Sequence, residues 1–468
     1  MKKILTALLV ICLAIVLAYG SASYWVGGQA LIQHDQLIAQ INNYNFVEAA
    51  NKSYDRGLFR SRALTTFTLT QPGRKDSIQF TLINSIYHGP LVFLRNQHLK
   101  GGLKPALAII HTQLEADSCS DNVKRIMATI PELQSSEVIT VIHLDGGAEA
   151  YCEIPSFRKT LKNDKNEDVE VQWGGFNSKS KFNTQFGESS GSYNAPSFQV
   201  AGKDDIFRVN NMQGDFYSHR GMKSLSVGSI AFSIGSVEAV DKGEASFNLN
   251  SFDVKVESGF SDQAVNCSIQ TGFDKLTGNN FVLGPVRLEF EARKLDADVL
   301  ARFENMASEL RKKPAGNSSD LDEATNRFIK KMLVDLIAKA PEFEIKQLRA
   351  RTDKGDLSGK AKLVFSGLGE NMAGNIFALL SSIDASAELS VSEALFFFIA
   401  ENAIGDPAPG SGAGKHTPAE IAKGLLAQNI IVRENGAFKS SAVYKQGKLS
   451  VNGRKLDLSG LLGNPSAK

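Results

Sequence analysis

The chain has 468 residues, of which 43% are hydrophobic and 22% charged, and this balance excludes both an intrinsically disordered chain and a protein with many membrane spans. Its 52 basic and 50 acidic residues leave a formal charge of +2. Without a basic excess or a basic stripe, nucleic acid is not an expected partner, and the length predicts two or three packed domains.

The first residues have the pattern of an export segment. Lys2 and Lys3 precede an apolar run that starts at Ile4, and no charged residue follows until Asp35. Extended to Trp25, this run approaches the ~30 Å thickness of a bilayer core. The pattern predicts a membrane anchor over residues 1–28, with a transmembrane helix that includes Ile4, Leu9, Ile15, Tyr19 and Trp25.

The two lysines predict the orientation of this anchor, because positively charged residues stay on the cytoplasmic side of a membrane. The expected localisation is the inner membrane, with a single pass, a cytoplasmic N-terminus and the bulk of the chain in the periplasm. A cleaved signal peptide is the alternative, since Ala18, Gly20 and Ala22 provide small residues at suitable positions. A mature protein that begins at Ser21 or Ser23 would then be free of the membrane.

Three cysteines follow the N-terminal segment, at Cys119, Cys152 and Cys267. In an oxidising compartment a disulfide between Cys119 and Cys152 is possible, and closing that loop would stabilise the fold by roughly 3 to 4 kcal/mol. Three buried free thiols are an equally good interpretation. No Cys-x-x-Cys motif supports a thioredoxin-like or zinc-ribbon function.

Strand patterns dominate the middle of the chain. A helix is expected over residues 29–51, and the period then changes to two, as in the alternation of Ile78, Phe80 and Leu82 with polar neighbours. Similar alternation recurs up to Val286, with Gly, Asn or Asp between the segments. Such strands are typical of antiparallel sheet and predict a β-rich region over residues 29–292.

Helices are expected mainly in a C-terminal α+β region over residues 293–468. Apolar stripes predict helices near 295–310 and 319–336, and a third, more apolar helix is expected over 392–403. Thr417 begins a capping box with proline at the first helical position, which predicts a short helix that ends near Gln428. The glycine- and proline-rich segment 405–415 is expected to be a flexible loop.

A glycine-led pattern occurs three times, at 57–63, 355–361 and 436–442. In each copy a glycine is followed by alternating apolar, small and alanine positions. The glycine is expected to make a turn, and the alternating residues to line one face of the next strand. The irregular spacing between copies indicates a recurring hairpin and not a solenoid.

Two sequence patterns resemble catalytic or phosphate-binding motifs. Gly187 to Gly191 matches the G-x-S-x-G pattern around Ser189, but its half-polar flanks lack the strand and helix that a nucleophile elbow requires. The segment 409–417 resembles a phosphate-binding loop but has Pro409 and His416 at two required positions. A turn and a linker are the favoured interpretations, and the histidines, including His88 beside Gly89 in an expected turn, have no metal-binding spacing.

Several short segments together resemble the YdgA-like family of Gram-negative envelope proteins. They are residues 53–61, 87–90, 171–176 and 447–453, and they span nearly the whole chain. The resemblance implies one N-terminal membrane segment and a β-rich periplasmic body, and it carries no catalytic residues. Within the first segment, Asp55 and Arg56 are expected to form a structural ion pair.

These observations predict an α+β fold, predominantly antiparallel β, with repeated short hairpins, a few amphipathic helices and one N-terminal transmembrane helix. The expected function is that of a non-enzymatic envelope protein that binds a lipid-like or protein partner, with no cofactor or metal and with a homo-oligomer possible. A serine hydrolase centred on Ser189 and a purely structural assembly factor are the alternatives.

Overall fold

The computed structural model describes most of the chain, in two compact units. The first unit consists mainly of residues before 203, and the second mainly of residues after 220. The described residues are 19–32, 34–35, 38–39, 41–42, 47–70, 77–89, 92, 106–163, 165–183, 187–242, 244–278, 281–312, 318–366, 380–403 and 417–456.

The first unit is built on an antiparallel meander in which strands β1 to β6 pair in sequence order. Strand β9 pairs with β6, β10 pairs with both β9 and β8, and β7 pairs with β8. The strands are β1 Val47–Arg56, β2 Arg60–Thr70, β3 Ser77–His88, β4 Ala106–Leu114, β5 Glu137–His143, β6 Gly147–Ile154, β7 Phe157–Lys162, β8 Asp168–Trp173, β9 Phe176–Asn183 and β10 Glu188–Ala201.

The second unit contains a longer antiparallel ladder in the order β12, β13, β14, β16, β17, β18, β19, β21, β22, β23. Strand β15 pairs with β13 and β16, and β20 pairs with β21. The strands, with β11 preceding them, are β11 Ile206–Arg220, β12 Ser226–Asp241, β13 Glu244–Ser261, β14 Ala264–Phe273, β15 Lys275–Gly278, β16 Phe281–Asp296, β17 Glu342–Thr352, β18 Gly355–Phe365, β19 Ile383–Ser392, β20 Val432–Glu434, β21 Ala437–Lys445, β22 Lys448–Val451 and β23 Arg454–Leu456.

The predicted antiparallel pairing is present throughout these ladders, but the strands are longer than the sequence suggested. Strand β13, for example, has 18 residues. The three glycine-led segments begin strands after hairpin turns, as predicted: Gly57 precedes β2, Gly355 opens β18 and Gly436 precedes β21.

The predicted C-terminal helices are confirmed within a few residues. Thr417 caps the last of them, and its hydroxyl and the Glu420 side chain form the expected capping box. The helices are α1 (residues 19–32), α2 Asp121–Thr129, α3 Ala297–Lys312, α4 Ser318–Ile337, α5 Glu393–Ala403 and α6 Pro418–Ala427.

The helix expected over residues 29–51 was wrong at its C-terminal end, because β1 begins at Val47 and pairs with β2. The β-branched and aromatic residues of β2 provide a ladder partner that outweighs the local helical pattern. The loop at 405–415 lies outside the described residues, except that α6 is preceded by Thr417.

The predicted N-terminal transmembrane helix was wrong. In the part of the chain that the structure describes, none of the helices is both long enough and apolar enough to span a bilayer. Helix α1 instead lies on the sheet of the first unit, with the Ser23 side chain fully buried. The predicted single-pass inner-membrane localisation depended on that helix and was wrong on the same finding.

The residues expected to lie in the membrane segment divide into two groups. Ile4, Leu9 and Ile15 lie outside the described residues. The ring of Tyr19 lies 5.8 Å from that of Phe59, and the Trp25 side chain is 64% exposed.

The core of the first unit lies on both faces of its sheet. On one face Ala63, Ile86 and Ala108 are buried and contact Ala30 of α1. On the other face Ile109, Ile139 and Val141 form a second buried cluster with their neighbours. Helix α1 therefore occupies a surface that the sheet alone would leave exposed, because its apolar strand residues need a covering layer.

Candidate functional site

The sheet of the second unit has one continuous apolar surface, which we call the apolar face. Because side chains alternate along a strand, the cross-strand register decides which residues share a face. Following the pairs from β12 to β22, apolar residues meet apolar residues at every step. One such row is Phe232, Val254, Thr271, Leu288, Leu348, Gly359, Leu389, and a parallel row is Ile269, Phe290, Ile345, Ala361, Ala387, Ala442, Val451.

The opposite face of the same sheet is charged. Arg293 donates to Glu344 over 2.6 Å and to Glu291 over 2.6 Å, and Lys360 lies 2.9 Å from Glu388. Hydrogen bonding to Lys346 lowers the pKa of Glu291, and hydrogen bonding to Lys294 in the same way lowers that of Glu342. This face is satisfied by its own ion pairs and by water, so the sheet is amphipathic.

A trough of about 360 Å³ lies on the apolar face, between β16 and β22. Its floor is formed by small side chains and its sides by bulky ones, of which Phe290 and Phe343 stack with their ring centroids 6.4 Å apart. The apolar side chains that line this trough are Phe290, Phe343, Ile345, Ala361, Leu363, Ala385, Ala387, Ala442, Tyr444 and Leu449.

The trough offers almost no hydrogen-bonding group to a ligand. The one polar atom of its apolar side chains, the Tyr444 hydroxyl, donates to the Leu380 carbonyl over 3.0 Å. A surface of this kind favours alkyl or aromatic groups over polar ones, because a polar group buried there would lose its hydrogen bonds to water.

The middle of the apolar face remains open among the described residues, whereas its ends are covered. Phe438 is buried against Phe396 and Phe397 of α5, and Val265 is buried in a cluster with Ala297 of α3. By contrast, Ala387 is exposed and Ile230 is 58% exposed. The protein therefore presents a wide apolar surface to its surroundings, which in soluble domains marks a binding site.

A second notable cluster lies under α1 in the first unit, and we call it the helix-docking cluster (Ser23, Tyr24, Gly27, Tyr54, Arg56, Ser61 and His88). The Arg56 guanidinium lies 3.8 Å from the centre of the Tyr24 ring and also donates to the Tyr24 carbonyl. The expected ion pair between Asp55 and Arg56 is thus replaced by a contact that holds α1 to the end of β1.

The Ser61 hydroxyl and Nε2 of His88 are 2.8 Å apart at the centre of this cluster. Ser61 is 1% exposed and His88 is 2% exposed. Burial lowers the pKa of His88, so the imidazole is neutral at pH 7. A serine and a neutral histidine at this distance could in principle exchange a proton, but both are enclosed beneath α1, so the pair serves as a polar contact between β2 and β3.

His34 forms a related contact just beyond α1. Its Nε2 lies 3.1 Å from the Thr65 hydroxyl, and its ring lies 5.8 Å from that of Tyr54. Burial lowers the pKa of His34, although the Asp35 carboxylate partly opposes this shift. Two neutral histidines therefore lie between the N-terminal helical segment and the sheet.

Two glycines of α1 provide a test of this docking. A Cβ atom at Gly27 would lie 2.7 Å from Cε1 of His88, whereas one at Gly20 would have no neighbour within 4 Å. We expect Gly20→Ala to stabilise the helix by about 0.5 to 1 kcal/mol and Gly27→Ala to destabilise the first unit by about 1 to 3 kcal/mol. Urea unfolding measures both, and equal effects of the two substitutions would contradict the docking of α1 on His88.

The residues singled out as possible catalytic or disulfide sites lie apart from both clusters. Ser189 lies within strand β10, opposite Phe182 of β9, and not at a strand-to-helix turn. Cys119 and Cys152 are both free thiols, and the buried Cys119 donates to the Glu115 carbonyl over 3.1 Å. Burial raises the pKa of Cys152 and of Cys267, which makes their thiolates scarce at neutral pH.

The remaining pattern-based candidates give no site in the described chain. The segment 409–416, which resembled a phosphate-binding loop, lies outside the described residues. Within the described residues, no group of three or more His, Cys, Asp or Glu side chains is arranged to hold a metal ion.

Sequence comparison places the chain in a known family. A family model described as "Bacterial protein of unknown function (DUF945)" matches residues 1–459. The chain belongs to this family. Neither the curated proteins nor the solved structures contain a match.

The family segments acquire a structural meaning from the cluster beneath α1. Residues 53–61 and 87–90 contribute Tyr54, Arg56, Ser61 and His88, so two separate motifs meet at one place. Sequence reasoning assigned His88 to a turn and missed its contact with Ser61. The available signal was that both segments border expected strands β2 and β3, whose pairing brings their ends together.

Proposed function

We propose that the protein binds the acyl chains of an amphiphilic molecule on the apolar face of its second unit, as a non-enzymatic binding protein. The observation that supports this most directly is the trough between β16 and β22, which is lined by apolar side chains and open among the described residues. Burial of an alkyl chain there gains about 25 cal/mol for each Å² of apolar surface removed from water.

The opposite, charged face supports the same proposal. A sheet that is buried on both faces has apolar residues on both, whereas a sheet with one charged face has one layer only. Here the charged face needs no cover and the apolar face has none over its centre among the described residues. An amphiphile would complete the missing layer while its polar group stays in water.

The finer relationship to the YdgA-like family is part of this proposal and rests on the short segments named above. It is compatible with the DUF945 match. The proposal itself depends on the apolar face and not on that relationship.

A charge placed in the trough tests the proposal. Ala387 and Ser386 are both exposed neighbours on β19 but point to opposite faces, the first into the trough. With parinaric acid as a fluorescent fatty-acid probe, we expect the full-length protein to bind and Ala387→Glu to weaken binding at least tenfold, because a carboxylate beside an alkyl chain loses hydration.

Ser386→Glu is the matched control and is expected to bind as the unmodified protein does. The proposal fails if the unmodified protein does not bind the probe, or if both substitutions weaken binding equally. Competition by palmitate, which lacks the fluorescent polyene, establishes that the alkyl chain is what the protein recognises.

A further inference from the structure

The apolar face continues well beyond the trough. On β12 and β13 the pairs Ile230 with Val256, Phe232 with Val254 and Ile234 with Phe252 carry it to the other end of the ladder. The rings of Phe232 and Phe252 meet edge to face, with centroids 6.4 Å apart. Strand β14 joins the two regions, because Ile269 pairs with Val256 on one side and with Phe290 on the other.

The length of this face exceeds that of one acyl chain. It crosses nine strands, β12, β13, β14, β16, β17, β18, β19, β21 and β22. Neighbouring strands are about 4.8 Å apart, so the face extends roughly 38 Å across the strands. A bilayer core of about 30 Å contains two chains end to end, so one chain accounts for only about 15 Å.

The shape of the face favours alkyl chains over a second copy of the protein. Ala361, Ala387 and Ala442 form a recessed row on adjacent strands, with Phe343 and Tyr444 standing above it. Two such concave faces placed against each other would leave their recesses empty, and empty space in an interface forfeits dispersion contacts. A flexible alkyl chain can follow the recess and fill it.

We infer that the apolar face holds at least two acyl chains at once, arranged in series across the strands, one in the trough and one over β12 to β14. This inference rests on the proposed function and extends it from a single site to a row of sites. It implies that ligands at the two ends are held by different residues and can be removed separately.

Native mass spectrometry of the full-length protein with palmitate tests this arrangement. We expect two or more palmitate molecules bound at saturation. Ile230→Glu should reduce the maximum number by the ligand over β12 to β14, and Ala387→Glu should remove the ligand of the trough, so the double variant should lose both.

Matched controls use the charged face of the same strands. Ala231→Glu, opposite Lys255, and Ser386→Glu are expected to leave the number of bound ligands unchanged. Circular dichroism that matches the unmodified protein for all variants shows that the sheet is intact.

Each outcome distinguishes the two levels of the proposal. A maximum of one palmitate, lost completely in Ala387→Glu and unaffected by Ile230→Glu, overturns the series arrangement but leaves the proposed function standing. The absence of any bound palmitate overturns both. A dimer that Ala387→Glu and Ile230→Glu each convert to monomers, with no palmitate bound, also overturns both, since a second copy would then be the occupant.

Discussion

His88→Ala is expected to lower the free energy of unfolding of the first unit by about 3 kcal/mol. The substitution removes a side chain that is 2% exposed, which leaves a cavity between α1 and β3. It also removes the partner of the buried Ser61 hydroxyl, and an unsatisfied buried hydroxyl costs about 1 to 3 kcal/mol. Urea unfolding gives the total, and hydrogen exchange over residues 19–32 reports the release of α1.

The Ser61 partner provides the critical control. If the two side chains interact as their 2.8 Å separation indicates, the double substitution Ser61→Ala with His88→Ala should cost less than the sum of the single ones, by about 1 kcal/mol. Strict additivity of the two effects would contradict a stabilising contact between them. His143→Ala, at the half-buried end of β5, is the matched histidine control and should have a small effect.

Alternation predicts the strands of this protein well because one face of each strand differs chemically from the other. Val286, Leu288 and Phe290 alternate with charged residues, and they do lie together on the apolar face. The sequence could not show which strands would be neighbours across that face. A register shift between Ile345 and Leu348 brings both onto the apolar face, and nothing in the local sequence of β17 indicates this irregularity.

The N-terminal segment shows where composition misleads. Ser23 and Gly27 are small residues in an apolar context, which suits both a signal peptide and a helix packed in a membrane. In the structure the same property lets α1 approach the sheet closely, with His88 next to Gly27. Hydropathy measures the residues of α1 but not the surface of β1 to β3 that it covers, so the docking of α1 was out of reach from the sequence alone.

Conversely, the two family segments could have been brought together by strand pairing, yet the chemistry of their meeting depends on burial. Arg56 would be an ordinary surface cation without the Tyr24 ring and carbonyl of α1. His88 follows a strand and precedes glycine, which is the pattern of a turn. Only the position of α1 turns it into a buried neutral side chain.

The stability of the first unit is expected to fall as the pH decreases below about 6.5, because of the two histidines beneath the N-terminal segment. Burial lowers the pKa of both His34 and His88 from the model value of 6.5. Below that pH the unfolded chain binds protons at these positions while the folded chain does not. The free energy of unfolding therefore decreases with falling pH, by up to about 1.4 kcal/mol per pH unit for each histidine.

The window between pH 6.5 and 5 separates this effect from that of the carboxylates. Hydrogen bonding to Tyr151 holds the pKa of Glu149 at about 2, so its stabilising contribution is lost only below its unfolded value of 4.5. Other carboxylates with lowered pKa values, such as Glu291 and Glu342, also act in that more acidic range. Urea unfolding at several pH values between 6.5 and 5 thus measures the histidines.

Substitution identifies which histidines are responsible. His88→Gln and His34→Gln should each reduce the slope of stability against pH by about half in this window, and together they should flatten it, while His143→Gln leaves it unchanged. A slope that survives the double substitution would show that other groups titrate there. Since His88 faces Arg56 and the α1 backbone, with Asp35 beside His34, protonation adds a positive charge where no carboxylate of the described cluster contacts His88, and we expect α1 to exchange its amide hydrogens faster at pH 5 than at pH 7.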